Sequence, residues 1–234
     1  MARRHRTRLL VHVRHDPPVL HGRPRPGDRG SRRHRRRPDV ERARARHRTA
    51  RPRGHDRHHR LLGLLPPERA VEPGASLFLD NGSTVAAFAH ALPVDAELTV
   101  TTTSVGVVTD MADRDDVRLV MLGGEYRALS NGFVGPLTEA ALEYLTFDAV
   151  YLGADAVSPE RGICEADLGQ IRLKELIARR AAAVYVLADS SKLARSEFHA
   201  WTRLGGAWTL VTDDGIAPEL VEQFTTAGVD VVTA

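Results

Sequence analysis

From residue 77 onward the chain alternates short apolar runs with stretches whose apolar positions recur at helical spacing. Runs over 77–79, 98–102, 117–122, 149–152, 183–188, 208–212 and 229–232 read as strands. Helical patterns fall between them, over 84–92, 105–112, 136–145, 168–181 and 218–227. Pro93 stops the first helix, Pro136 opens the third at its first turn, and Gly228 closes the last. Apolar strands alternating with helices predict an α/β domain: a Rossmann-like, mostly parallel sheet with helices on both faces. In such sheets ligands sit beyond the carboxyl ends of the strands, where loops lead into helix N-termini.

Polar residues and glycines gather at those strand ends. The first strand runs into Asp80-Asn81-Gly82-Ser83-Thr84, a tight turn that brings hydroxyls and free amides to a helix start. That pattern suits a phosphate, and equally an ordinary N-cap. The second strand ends in Thr102-Thr103-Ser104, with the same two readings. The third ends in Gly123-Gly124, with Arg127 three residues on, either an open backbone beside a phosphate-seeking guanidinium or a turn with a surface Arg. After the fourth, Gly153-Ala154-Asp155 offers a carboxylate for sugar hydroxyls or a turn cap. After the fifth, Asp189 and Lys192 place an acceptor and a cation at the same rim. Lys174 and Lys192 are the only lysines in the chain, while Arg serves at every other basic position.

Taken in order, these segments resemble the C-terminal effector domain of the DeoR/GlpR family of bacterial regulators. The family pattern of Leu-Asp-x-Gly-Thr-Thr, Thr-Asn-Ser, Gly-Gly-x-Tyr-Arg, Phe-Val-Gly-Pro, Leu-Gly-Ala-Asp-Gly and Ala-Asp-Ser-Ser-Lys appears at 79–84, 102–104, 123–127, 133–136, 152–156 and 188–192. Lys174 falls where the family has a lysine in the helix after the fourth strand. Asn81, Thr103 and Ala156 depart from the usual Ser, Asn and Gly. The resemblance implies a ribose-5-phosphate isomerase/NagB-like fold that binds a phosphorylated sugar or sugar alcohol. It implies a homo-oligomer, no cofactor, and DNA as partner where an N-terminal helix-turn-helix is present. On this reading the phosphate docks on Gly82, Ser83 and Thr84 with Lys192 and Arg127. Asp80, Asp155 and Asp189 read hydroxyls, and Lys174 lies across the mouth and reports occupancy. The alternatives are a sugar-phosphate isomerase, which would call on Glu165, Asp167 and Lys174 but lacks a glycine-rich run there, and a sensor-only fragment.

Composition changes the picture at the N-terminus. Residues 1–60 hold 21 of the 33 basic residues, all Arg, and five of the 30 acidic ones, a net of +16; the rest of the chain carries −13. Nine of the 11 His lie in this stretch, and its prolines recur too often for long helices. Residues 1–68 therefore read as a disordered basic segment ahead of a sensor domain at 69–234. The segment is either a nucleic-acid-binding arm or the Arg/His/Pro/Gly product of GC-rich codons read outside the coding frame. It shows none of the patterning of a helix-turn-helix. A single cysteine, Cys164, excludes an intrachain disulfide and a cysteine-rich zinc site. No apolar run reaches membrane-spanning length and no signal peptide is evident, so the expected compartment is the cytoplasm. Phe78, Phe88, Tyr144 and Phe147 read as core or interface residues.

Overall fold

Within β1 (Ser76–Leu79), Leu77 and Leu79 turn to one face of the sheet and Phe78 to the other, and all three are fully buried. A strand buried on both faces needs cover on both, and each such side chain contributes about 1.5–3 kcal/mol by leaving water. The cover follows from the chain order. The computed structural model describes residues 71–193, 195 and 199–233. The expected basic segment lies outside the described residues.

After β1 come α1 (Ser83–His90), β2 (Leu98–Thr102), α2 (Val105–Met111) and β3 (Val117–Met121). The chain then forms a small hairpin, β4 (Glu125–Arg127) and β5 (Gly132–Val134), before α3 (Pro136–Leu142) and β6 (Phe147–Leu152). Next are β7 (Ala156–Ser158), β8 (Gly162–Glu165), α4 (Leu168–Ala178), β9 (Ala181–Leu187) and β10 (Ala200–Thr202). The chain ends with β11 (Thr209–Thr212), α5 (Pro218–Thr226) and β12 (Asp230–Thr233).

Seven strands form one parallel sheet in the order β12-β11-β9-β6-β1-β2-β3. One face packs Val85, Phe88 and Ala89 of α1 and Val107 and Met111 of α2 against Leu77, Leu79 and Val100. The other packs Leu142 of α3, Ile171 and Ile177 of α4 and Phe224 of α5 against Phe78, Val150 and Leu210. The expected α/β architecture with helices on both faces is therefore observed. Strand order reverses between β1 and β6, which makes their carboxyl ends the natural crevice of the sheet. Among the described residues no helix is long and apolar enough to cross a membrane.

The expected helix over 168–181 stops at Ala178, because Ala181 pairs with Phe147 and enters β9. Alanine favours helices, but sheet pairing overrides that preference. The helix expected over 136–145 stops at Leu142. The amides of Tyr144 and Leu145 bond back three residues and tighten its end, leaving Tyr144 88% exposed rather than in the core. Two small antiparallel additions were not expected: the β4–β5 hairpin and the three-stranded β10-β8-β7 sheet. Cys164 is a buried residue of β8, and burial pushes its thiol up to about 11, far from a nucleophile.

Candidate functional site

Helices α2 and α4 begin with their first amides satisfied by a side chain: Ser104 accepts from Val107 and Asp167 from Gln170. Helix α1 does not. Its N-cap is Gly82, with no side-chain cap and no acidic residue in the first turn. Gly82 adopts φ 128°, a conformation that would strain any other residue. Ser83 and Thr84 therefore do not act as caps, and the positive end of α1 stays open.

That open end lines a cavity of about 240 Å³ at the switch point between β1 and β6. The 81–85 turn forms one wall and Gly153, Ala154 and Asp155, after β6, another. A Cβ on Gly153 would stand 3.3 Å from the Asn81 carbonyl oxygen, so a side chain there would crowd the 81–85 turn. Lys192 enters from the turn after β9 and donates to the Ala154 carbonyl at 2.8 Å. Arg127, Leu129 and Ser130 reach in from the β4–β5 hairpin. Glu165, Ala166, Gln170 and Lys174 close the far side, from the end of β8 and the first turns of α4. The structure thus brings together Asn81, Gly82, Ser83, Thr84, Arg127, Gly153, Asp155, Lys174 and Lys192 from the sequence-based set.

Lys174 does not lie across the mouth. It is 2% exposed, in the floor, where its ammonium meets Asp80 Oδ2 at 2.8 Å, Glu165, and the Gly153 carbonyl oxygen at 2.8 Å. All three of its protons are spent. Asp80 is likewise committed: its Oδ2 accepts from Lys174 and from the Gly153 amide at 3.0 Å, so it ties β1 to the turn after β6 and does not face the cavity. Burial opposes charge on Lys174, but Asp80 and Glu165 together outweigh it and hold the ammonium charged well above neutral pH. Burial also raises Glu165 above the usual carboxylate range, against the attraction of Lys174 and with the repulsion of Asp80.

The remaining candidates stand behind this wall or beside it. Thr102 Oγ1 donates to the Leu79 carbonyl at 2.6 Å and accepts from the Ser104 amide, which knits β1 to β2. The Thr103 carbonyl accepts from the Phe133 amide and the Val105 amide donates to Asn131, so the end of β2 anchors the hairpin. Gly123 accepts from Thr138 Oγ1, and Gly124 sits so close to Thr138 and Val134 that a Cβ there would clash. Their job is to seat the hairpin. Asp189 accepts from the Ser191 amide and caps the single helical turn that carries Lys192. Asp155 Oδ2 accepts from the Ala166 amide at 3.1 Å, which leaves its other oxygen available. Ala156 opens β7 in extended backbone, where alanine costs nothing. Gln170 and Ser130 were not among the sequence-based candidates. Gln170 carried no signal beyond its place in the first turn after Asp167, and Ser130 none beyond a turn.

Residues 68–214 match the DeoR C terminal sensor domain family. The putative aga operon transcriptional repressor of Escherichia coli O157:H7 is 30% identical over 162 residues, 69% of this chain and 60% of that protein. The HTH-type transcriptional regulator GlpR of Haloferax volcanii is 32% identical over 168 residues, 70% of this chain and 66% of that protein. The chain thus spans less than two-thirds of the length of either relative. Ribose 5-phosphate isomerase A from Methanocaldococcus jannaschii superposes with a TM-score of 0.40 and 19% identity, over 60% of this chain and 55% of that one. On the match over 68–214, the chain belongs to the DeoR C-terminal sensor domain family.

Proposed function

We propose that residues 69–234 are the effector-sensing domain of a DeoR-type transcriptional regulator, a repressor whose grip on DNA is altered by a phosphorylated sugar or sugar alcohol. The observation that carries this reading is the uncapped positive end of α1, opening with Lys192 and Arg127 into the switch-point cavity. The family membership and the names of the two relatives, a repressor and a regulator, support it. The phosphate docks on the amides and hydroxyls of 82–84, Lys192 and Arg127 neutralise it, and Asp155 accepts from a hydroxyl. DNA is the further partner where a helix-turn-helix precedes the sensor domain, and the regulator acts as a homo-oligomer in the cytoplasm.

Titration of the full chain with sugar phosphates by calorimetry tests the site. Hydrogen bonds to charged groups are worth about 1.5–3 kcal/mol, so Thr84→Ala and Lys192→Ala should each weaken the best phosphate ester about tenfold or more. Unchanged affinity in both would remove the assignment. We read the domain as a sensor and not an enzyme. Incubation with ribose 5-phosphate should yield no ketose; steady turnover abolished by Glu165→Gln would establish the isomerase instead.

A further inference from the structure

Gln170 is 4% exposed and lines the cavity, yet its side-chain amide has no hydrogen-bond partner among the described residues. Its amide atoms are not sealed from solvent: they open on the cavity, where a ligand can exchange hydrogen bonds with them in place of water. Its backbone serves separately: the Gln170 amide donates to Asp167 Oδ1 at 3.0 Å and fixes the side chain on the first turn of α4. Two more acceptors share this wall. One Glu165 oxygen is held by Lys174 and the other is unpartnered among the described residues, and Asp155 keeps one oxygen beyond its bond to Ala166. On the α4 side of the cavity two carboxylates, Asp155 and Glu165, line the wall, and the Lys174 ammonium beside them is already shared between Glu165 and Asp80 behind it. A second anionic group there would face uncompensated negative charge at short range. A hydroxyl would not, since it donates to the carboxylates and exchanges hydrogen bonds with the amide.

We propose that Gln170 is a specificity-determining residue whose amide, beside the free edges of Glu165 and Asp155, reads hydroxyls at the unphosphorylated end of the effector. The pocket therefore takes a monophosphate with a neutral polyhydroxy tail and rejects one that ends in a carboxylate or a second phosphate. This rests on the phosphate-binding reading of α1 given above.

The test is calorimetry on the full chain with inorganic phosphate and three matched pairs: glycerol 3-phosphate and 3-phosphoglycerate, glucitol 6-phosphate and 6-phosphogluconate, fructose 6-phosphate and fructose 1,6-bisphosphate. In the pair that contains the tightest binder, the neutral-tailed member should win by about 30-fold or more, the scale of a like-charge contact in a partly buried site. Gln170→Leu, which keeps the backbone bond to Asp167, should weaken that binder about tenfold and leave inorganic phosphate unchanged. Glu165→Gln should narrow the gap within the pair. Equal binding of the two members, or full affinity in Gln170→Leu, overturns the inference while leaving the phosphate site standing. Absence of binding by all seven probes overturns the phosphate reading, and this inference with it.

Discussion

Lys174→Met is expected to lower the unfolding free energy of the domain by about 3–5 kcal/mol, the usual consequence of removing one partner from a buried ion pair. The side chain is 2% exposed, and the substitution strands Asp80 and Glu165 together in a site neither can leave. Urea denaturation at neutral pH measures it. Adding Glu165→Gln should recover part of the loss, because one of the two stranded charges is gone. The pH dependence has a definite sign. Lys174 has a raised pKa in the folded protein, so its stabilisation is complete at neutral pH and is lost only on rising through that raised value. Glu165 is also raised, so its carboxyl form favours the folded state at low pH, and that contribution fades as pH rises through its folded value. The stability of Glu165→Gln relative to the parent should therefore increase from acid toward neutral pH. A Lys174→Met variant as stable as the parent would show that the trio does not hold the floor together.

Gly124→Ala should damage effector binding from outside the cavity. A Cβ at this position would stand 2.3 Å from Thr138 Oγ1 and 2.5 Å from the Val134 carbonyl oxygen, and the latter is backbone that cannot rotate away. Overpacking of this kind costs about 1–3 kcal/mol and is relieved by shifting the hairpin. Arg127, Leu129 and Ser130 would move with it, so affinity for the best phosphate ester should fall about tenfold, a loss typical of a displaced charge-assisted contact. Gly123→Ala is the control, since a Cβ there meets nothing within 4 Å; its stability should stay within about 0.5 kcal/mol of the parent. Calorimetry and thermal unfolding on both variants separate the two effects. Normal affinity in a destabilised Gly124→Ala would mean the hairpin contributes nothing to the ligand.

The main sheet was legible because its signal is local. Leu77, Phe78 and Leu79 announce a strand buried on both faces, and Pro136 and Gly228 mark helix boundaries without reference to the rest of the chain. The three-residue strands were not, because neither β4 nor β10 is long enough to show a period, and β10 finds its partner β8 more than thirty residues back. The site divided along the same line. Residues at the β1 and β6 ends could be placed together, since parallel strands deliver their loops to one edge. Which of them face the ligand could not be read. Asp80 and Asp155 look alike in sequence, yet Asp80 is consumed by Lys174 and Gly153 while Asp155 keeps an oxygen free. Gln170 was invisible because what singles it out is a side-chain amide on the cavity wall with no partner among the described residues, a fact about packing that no spacing encodes.

The cavity walls come from both layers of the sandwich: α1 packs on one face of the sheet, α4 on the other, and the hairpin closes from the side. A molecule that grips all three must be released before any of them can come apart. Occupancy at a hundred times the dissociation constant would thus add about 2.7 kcal/mol to the cooperative melting of the whole domain. A dye-monitored thermal scan of a metabolite library would then rank ligands of this cavity directly.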